Sequence, residues 1–246
     1  MSSGMTSTPI ISAVVGGTGL VGSHIVQQLI SSPQTFCVNA LMRRLPTGPV
    51  NDPDSKLKPL ISTETSTWPA TLSSTASTIL FSALGSTRAD SGSFEAQRKI
   101  DFDLNLAVAR AAKESGVKTY VLVSTGGASS ASRFPYLQMK GELEDAVIAL
   151  GFDKTVILRP GLIVGGREKP RMVEQPLHYV ANFFGGISGG RLKDFWAQDA
   201  DVIARAAIRA GTDNSVWEGK GLEEGGKRIW TLTQADVVAV GMKQEK

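Results

Sequence analysis

The sequence predicts an α/β fold: a doubly wound parallel sheet with helices on both faces and a small C-terminal extension over the binding edge. Apolar runs rich in β-branched residues alternate with helical stretches of ten or more residues, which is the pattern of βαβ units. A glycine-rich turn, GGTGLVG, follows the first apolar run and opens the first helical stretch. This strand–turn–helix arrangement is typical of Rossmann-like folds.

The composition predicts one soluble globular domain over residues 1–246, with 161–246 supplying most of the substrate-side loops. The chain is 41% hydrophobic and 20% charged, and its net charge of +3 comes without a run of Lys and Arg, so we expect no nucleic-acid partner. One cysteine, Cys37, excludes an internal disulfide. His24 and His178 stand too far apart in sequence to form a zinc signature with it, so no metal site is predicted.

The elements follow from these patterns in chain order. Strands are predicted near 10–15, 35–42, 58–61, 78–82, 118–124, 155–159 and 228–232. Helices are predicted near 20–30, 94–115, 136–150, 200–210 and 234–240. The helix over 94–115 is the best defined, because apolar residues recur at three- and four-residue spacing and Gly116 follows as a stop signal.

Three segments carry no clear periodicity. Residues 62–78, rich in Ser and Thr, are predicted to be a loop or irregular crossover without a regular helix. The glycine-rich stretches 185–190 and 219–226 are predicted to be surface loops or a lid. Aromatic residues flank the first of them and could cover an apolar substrate or dock peripherally on a membrane, although core packing is favoured: Phe183, Phe184, Phe195 and Trp196.

The glycine turn predicts a dinucleotide site. Gly16 would make the tight turn, Gly19 would let the backbone approach a pyrophosphate, and Gly22 would pack the helix against the strand. The phosphates would lie at the helix N-terminus. The predicted cofactor contacts in this motif are Gly16, Thr18, Gly19, Leu20, Val21 and Gly22.

The residues after the second strand favour NADP(H) over NAD(H). NAD enzymes place an acidic residue about twenty positions after the glycines, where it binds the adenosine ribose. In this sequence no Asp or Glu occurs before Asp52, and Arg43 and Arg44 follow the strand directly. A guanidinium can pair with the 2′-phosphate of NADP(H).

A candidate catalytic set follows the fifth strand. Tyr136 and Lys140 are four residues apart and would share one helix face, where the ammonium would lower the pKa of the phenol. Tyr136 would then act as a general acid/base. Ser124, at the carboxyl end of its strand, would polarise a substrate carbonyl.

The string of motifs GGTGLVG, LFSALGSTR, KIDFDLNLAVARAAKESGVK, VLVSTGG, SRFPYLQMKGELE and VILRPGLIVGGR resembles the short-chain dehydrogenase/reductase superfamily, in its atypical or extended branch. Within that branch the chain resembles the fungal mitochondrial outer-membrane proteins and the animal Tat-interacting oxidoreductase-like proteins. The resemblance implies a Rossmann fold, a nicotinamide cofactor and a Ser124–Tyr136–Lys140 site, with Lys140 also bonding the nicotinamide ribose. It also implies a peripheral location on the cytosolic face of the mitochondrial outer membrane.

Further cofactor contacts are implied by the resemblance. Ala83, Leu84 and Gly85 would pass beside the adenosine half, and the nicotinamide pocket would be lined by Pro160, Gly161, Leu162 and Ile163. Asp101 stands near the position of an asparagine that serves a proton relay in many relatives, so that relay is in doubt here. The short C-terminal region argues against a bulky nucleotide-sugar substrate.

Two hypotheses follow. The first is an NADPH-dependent oxidoreductase that transfers a hydride between the nicotinamide and a small carbonyl or alcohol. The second is a nucleotide-bound regulatory or protein-interaction module that keeps the fold without significant turnover. The intact Ser, Tyr and Lys set favours the first. Substrate identity and oligomeric state have no readable signal in the sequence.

Overall fold

The computed structural model describes residues 10–32, 36–46, 50–164 and 197–242. The predictions for His178, for the glycine-rich stretch 185–190 and for its flanking aromatics lie outside these residues. Within the described ranges, eight strands form one sheet: β1 (Ile10–Val15), β2 (Phe36–Met42), β3 (Leu57–Ile61), β4 (Ile79–Ser82), β5 (Thr119–Val123), β6 (Lys154–Leu158), β9 (Leu222–Glu224) and β10 (Lys227–Leu232). Their order across the sheet is β3-β2-β1-β4-β5-β6-β10-β9. A separate parallel pair joins β7 (Leu162–Val164) to β8 (Ala197–Asp199).

The first six strands of the sheet are parallel, and β10 continues them in parallel beside β6. The edge strand β9 runs antiparallel to β10. β1 lies between β2 and β4, and Val15 is in register with both Leu41 and Ser82. The winding of the chain reverses at this point, so the crevice beyond the carboxyl ends of β1 and β4 is the expected ligand-binding position.

Helices cover both faces of the sheet. They are α1 (Leu20–Ser31), α2 (Trp68–Ser73), α3 (Arg88–Ser91), α4 (Phe94–Arg98), α5 (Asn105–Glu114), α6 (Pro135–Ala149), α7 (Ala200–Thr212) and α8 (Gln234–Met242). Neighbouring strand residues point to opposite faces, so Val14 packs in one apolar core and Val15 in the other. α1, α7 and α8 cover the first core, and α2, α5 and α6 cover the second.

The predicted fold class is confirmed, and so are the predicted strands and helices to within a few residues at their ends. The helix predicted over 94–115 is a continuous helical stretch interrupted by a π-helical segment, Lys99–Leu104, between α4 and α5. A π-helical turn takes one extra residue, and such segments are frequent at functional sites.

Two segments differ from the prediction. Residues 62–78 contain a 3₁₀ turn and the helix α2, because Trp68 and Leu72 become buried against α5 and this packing outweighs the weak helix propensity of Ser and Thr. The stretch 219–226 contributes β9 and the turn of an antiparallel hairpin with β10, so it extends the sheet at the edge farthest from β1. Because β9 is hydrogen-bonded to β10, this stretch does not form the lid that was the alternative prediction.

The described C-terminal residues are joined to the carboxyl edge of the sheet through Gln198. Its side chain accepts a hydrogen bond from the Gly161 amide at 3.1 Å and donates one to the Gln234 carbonyl at 2.9 Å. These bonds link the turn after β6 with β8 and the start of α8. No helix in the described parts of the chain combines the length and apolar character needed to cross a bilayer.

Candidate cofactor and active site

The glycine turn is built so that side chains would not fit. Gly16 has a φ of +80°, and a β-carbon there would lie 2.6 Å from the Ala83 carbonyl oxygen of the neighbouring strand end. A β-carbon on Gly22 would collide with the Gly16 carbonyl, and the Gly19 amide donates to that same carbonyl at 2.8 Å. The first turn of α1 therefore rests directly on the loop after β1.

The N-terminus of α1 is suited to bind phosphate. Its N-cap residue is Gly19, which has no side chain to cap the helix, and its first turn contains no acidic residue, so the first amides of the helix are available to an anion. Thr18 and Leu20 are both half-buried, whereas the Val21 side chain packs into the core and can offer only backbone. The loop and helix end thus fit the pyrophosphate of a dinucleotide.

Arg43 and Arg44 lie where the second half of such a dinucleotide would extend. Since Val15 pairs with Leu41, the two arginines follow β2 at the same edge of the sheet as Gly16. Both side chains are exposed, and Arg44 donates to the Leu45 carbonyl at 3.3 Å. The described residues 43–46 that follow β2 include no carboxylate.

The loop Ala83, Leu84 and Gly85 borders the other side of the glycine turn. The Ala83 amide donates to the Val15 carbonyl at 3.0 Å, and the Leu84 carbonyl accepts from the Asn105 side chain at 3.2 Å. The Asn105 oxygen in turn accepts the Ser82 hydroxyl at 2.7 Å. Asn105 is fully buried and fixes this loop, and sequence reasoning missed it. The sequence signal that could have identified Asn105 is its position as a polar residue in the apolar stripe of a helix.

Tyr136 and Lys140 share one face of α6, as predicted. The Tyr136 side chain reaches the surface of the crevice with 40% of its area exposed, whereas Lys140 is 3% exposed. The Lys140 side chain is buried beside the carboxylates of Asp101 and Glu144, whose charges favour the protonated amine. An ammonium held in this way is suited to bind ribose hydroxyls, so these residues also fit a nicotinamide dinucleotide.

The pKa shift of Tyr136 beside Lys140 differs from the prediction. Burial of the phenol group, followed by the charge of Asp101, raises the pKa of Tyr136 to about 12, and hydrogen bonding to the Thr125 hydroxyl only partly opposes this. The predicted lowering by Lys140 is therefore wrong for this structure. Burial also lowers the pKa of Lys140, while the carboxylates of Asp101 and Glu144 oppose that shift.

Ser124 makes a contact that the sequence did not indicate. Its hydroxyl donates to the carboxylate of Glu144, which lies one turn beyond Lys140 on α6. Arg159, just after β6, donates through Nε to both oxygens of that carboxylate, at 3.0 and 3.2 Å. Ser124 and Glu144 are 6% and 2% exposed. The role predicted for Ser124 on a substrate carbonyl stays a prediction.

Asp101 lies in the π-helical segment at the edge of the site. One carboxylate oxygen accepts from the Ser86 amide at 2.7 Å and from the Ser86 hydroxyl at 2.8 Å. Burial raises the pKa of Asp101, while Lys140 and the Ser86 hydrogen bonds lower it. A buried carboxylate thus faces Tyr136 and Lys140 near the position where the resemblance implies an uncharged relay asparagine.

The residues predicted to line the nicotinamide pocket lie at the end of β6. The Gly126 amide donates to the Pro160 carbonyl at 2.8 Å, which joins this turn to the end of β5. The side chain of Leu162 is 40% exposed, and Gly161 is held by Gln198. Pro160, Gly161, Leu162 and Ile163 are thereby placed at the same edge of the sheet as Ser124.

Comparison with known proteins agrees with this architecture. A family model described as HIM1 matches residues 61–184. The mitochondrial protein fmp52 of Aspergillus clavatus is 47% identical over 233 residues, covering 94% of this chain and 98% of the relative. The mitochondrial fmp-52 of Neurospora crassa is 43% identical and covers 98% and 99% of the two chains. The chain belongs to the Fmp52 family.

Solved structures of enzymes in complex with NAD share the fold of this chain. MoeE5 in complex with UDP-glucose and NAD matches with a TM-score of 0.63 at 17% identity, covering 94% of this chain and 80% of that one. The UDP-glucose 4-epimerase of Thermus thermophilus, in complex with NAD, gives a TM-score of 0.61 at 18% identity, with 94% and 81% coverage. The resemblance predicted from the sequence is confirmed at the level of family and fold.

Proposed function

We propose that this Fmp52-family protein is an NADPH-dependent oxidoreductase that reduces a small carbonyl compound to an alcohol. The observation that carries the proposal is the pairing of Tyr136 with a buried Lys140 on the α6 face at the carboxyl edge of the sheet. The glycine turn that fits a dinucleotide lies at that same edge. The structural neighbours that carry NAD in their complexes support a nicotinamide cofactor of this kind.

Bound NADPH would supply the hydride that reduces the carbonyl carbon. Tyr136 donates its phenolic proton to the carbonyl oxygen, so the products are an alcohol and NADP⁺, and the phenolate regains a proton from solvent. The raised pKa of Tyr136 keeps the phenol protonated at neutral pH, which suits a proton donor in the direction of reduction. Lys140 would hold the ribose hydroxyls of the bound nucleotide.

Cofactor choice rests on the end of β2. Arg43 and Arg44 place two exposed guanidinium groups at this edge of the sheet, which supports recognition of the 2′-phosphate of NADPH. The neighbours in complex with NAD share under 20% identity with this chain, so they bear on the fold and not on this preference. The location of the protein is proposed from its similarity to relatives that are named mitochondrial. We place it peripherally on the mitochondrial outer membrane, facing the cytosol.

The test is turnover of a panel of small aldehydes and ketones, followed by the loss of NADPH absorbance. We expect Tyr136→Phe to lower kcat/KM at least about 100-fold, because the general acid is removed, while NADPH binding stays unchanged. Full turnover by Tyr136→Phe would contradict the proposal. NADPH binding without turnover across the panel would instead favour the interaction module predicted as the alternative.

A further inference from the structure

The turn after β6 lies directly against the chain that follows β5. The Gly126 amide donates to the Pro160 carbonyl at 2.8 Å, and a β-carbon on Gly126 would lie 3.2 Å from that same oxygen. Ser124 stands two residues before Gly126, at the edge of the sheet that carries the proposed site. This turn, residues 160–163, therefore borders the site through its backbone.

A buried glutamine side chain holds this turn in place. Gln198, in β8, is in register with Ile163 of β7 and is 3% exposed. Its Oε1 atom accepts the Gly161 amide at 3.1 Å, and its Nε2 atom donates to the Gln234 carbonyl at 2.9 Å. Gln198 thus ties the turn after β6 to the first residue of α8.

The two hydrogen bonds of Gln198 require a neutral amide. One end of the side chain must accept from an N–H group and the other must donate to a carbonyl oxygen, and a primary amide does both. A carboxylate would place an oxygen without a proton against the Gln234 carbonyl. An apolar side chain of similar size would take these partners from the Gly161 amide and the Gln234 carbonyl, which is costly in a buried site.

We propose that Gln198 is a positioning residue for the nicotinamide end of the cofactor, because it fixes the Gly161 turn against which that end would lie. The inference rests on the proposed function, since it concerns the same cofactor site. The adenosine end would lie at the glycine turn and beyond β2, and β1, β4 and β5 lie between β2 and β6 in the sheet. Loss of Gln198 should therefore weaken the binding of one end of the cofactor only.

The test is a calorimetric titration with NADPH and, separately, with 2′-phospho-ADP-ribose, which lacks the nicotinamide. Gln198→Met keeps the approximate volume of the side chain and loses both hydrogen bonds. We expect the Kd for NADPH to rise about tenfold in this variant, whereas the Kd for 2′-phospho-ADP-ribose stays within about twofold of the wild-type value. This readout needs no substrate and no turnover.

The matched control is Asn39→Leu, which removes another buried amide side chain. Asn39 is 5% exposed and donates to the Ser12 carbonyl at 3.4 Å and to the Ser77 hydroxyl at 3.3 Å, towards the amino ends of β1 and β4. Its loss should lower Tm and leave both Kd values within about twofold of the wild type. A general loss of stability is thereby separated from a change in the site.

A second variant, Gln198→Glu, adds a pH dependence that loss of packing alone would not give. Its carboxyl group would be buried, and burial raises the pKa of a carboxyl group, so the protonated form is reached at mildly acidic pH. In that form the side chain can donate to the Gln234 carbonyl, as the glutamine does. Relative to the wild type at the same pH, its Kd for NADPH should fall at least about fivefold between about pH 8 and about pH 6.

An unchanged Kd for NADPH in Gln198→Met, or an equal loss for 2′-phospho-ADP-ribose, would overturn the inference and leave the proposed cofactor site intact. Equal affinities of the wild type for the two ligands would also overturn it, because the nicotinamide would then gain nothing from the turn. A wild-type protein that binds neither ligand refutes the proposed function and the inference with it. If Gln198→Met does not fold, the pH dependence of Gln198→Glu decides.

Discussion

Asp101 is the charged neighbour that acts most directly on the ionisation of Tyr136. Its carboxylate is 1% exposed and is anchored by the Ser86 amide and hydroxyl. The negative charge disfavours a phenolate nearby, so it adds to the raised pKa of Tyr136. An asparagine at this position would keep an oxygen acceptor for Ser86 and remove the charge.

We therefore predict that Asp101→Asn lowers the pKa of Tyr136. The titration of the Tyr136 ¹³Cζ resonance from about pH 8 to about pH 12 should have its midpoint at lower pH than in the wild type. Alcohol oxidation needs the phenolate, so its kcat/KM at a fixed pH below the midpoint should rise, about tenfold for every pH unit by which the midpoint falls. Carbonyl reduction at neutral pH should change little, because the phenol stays protonated.

The matched control for this prediction is Asp103→Asn, since Asp103 lies in the same π-helical segment but is exposed. Its removal should leave the titration unchanged because water screens its charge. A midpoint that moves to higher pH in Asp101→Asn, or equally in both variants, would contradict the assignment.

For individual residues, the sequence predicted only the neighbours that spacing along a helix determines. Tyr136 and Lys140 could be found because four residues make one helical turn. The hydrogen-bond partners of Glu144 could not be found from spacing, because Ser124 and Arg159 follow the ends of two different strands. The sign of the Tyr136 pKa shift was also out of reach, because it depends on burial and on Asp101 from another helical segment.

The helix α6 is joined to the sheet by the ion pair of Arg159 and Glu144. The carboxylate is almost completely buried, while the guanidinium side chain is 35% exposed. Loss of the arginine leaves a buried carboxylate with Ser124 as its remaining hydrogen-bond donor among the described residues. Removing one partner of a buried pair destabilises a protein strongly.

We predict that Arg159→Met lowers the free energy of unfolding by about 3 kcal/mol, measured by urea denaturation. Lys118→Met is the control, because Lys118 and Asp153 form an ion pair at 3.6 Å with both side chains more than half exposed. That variant should change the free energy by under about 1 kcal/mol. Equal losses in the two variants would show that the network around Glu144 does not anchor α6.

At the element scale the failures of sequence reasoning have two physical causes. The helix α2 forms from Ser and Thr-rich sequence because Trp68 and Leu72 gain burial against α5, and tertiary packing is invisible to local propensity. The π-helical segment inserts one residue into the helix over 94–114, which apolar spacing is too coarse to reveal. Asp101 and Asn105 make their hydrogen bonds to the loop after β4 from this region.

The whole molecule brings the amino-terminal glycine turn and the α6 pair to one edge of an eight-stranded sheet. The alternation of strands and helices predicted this arrangement, because right-handed βαβ units leave the carboxyl ends of parallel strands at a common edge. The edge hairpin β9–β10 was not predicted, since its glycines serve equally well in a loop.

The proposed location is tested by cell fractionation. We predict that the protein fractionates with mitochondria and is released by a carbonate wash, because a peripheral protein is held by surface contacts that high pH disrupts. A marker protein with a spanning helix should stay in the pellet. A wholly soluble pool would count against a location on the mitochondrial outer membrane.

The central claim is that this chain binds NADPH through the glycine turn and the arginines after β2. The most direct measurement is a fluorescence titration with NADPH and, separately, with NADH, repeated on Arg43→Ala and Arg44→Ala, with exposed Arg110→Ala as control. We predict a Kd for NADPH at least tenfold below that for NADH, a difference of about 1.4 kcal/mol that shrinks when Arg43 or Arg44 is removed. Equal affinities, tighter NADH, or no binding of either nucleotide would contradict the account.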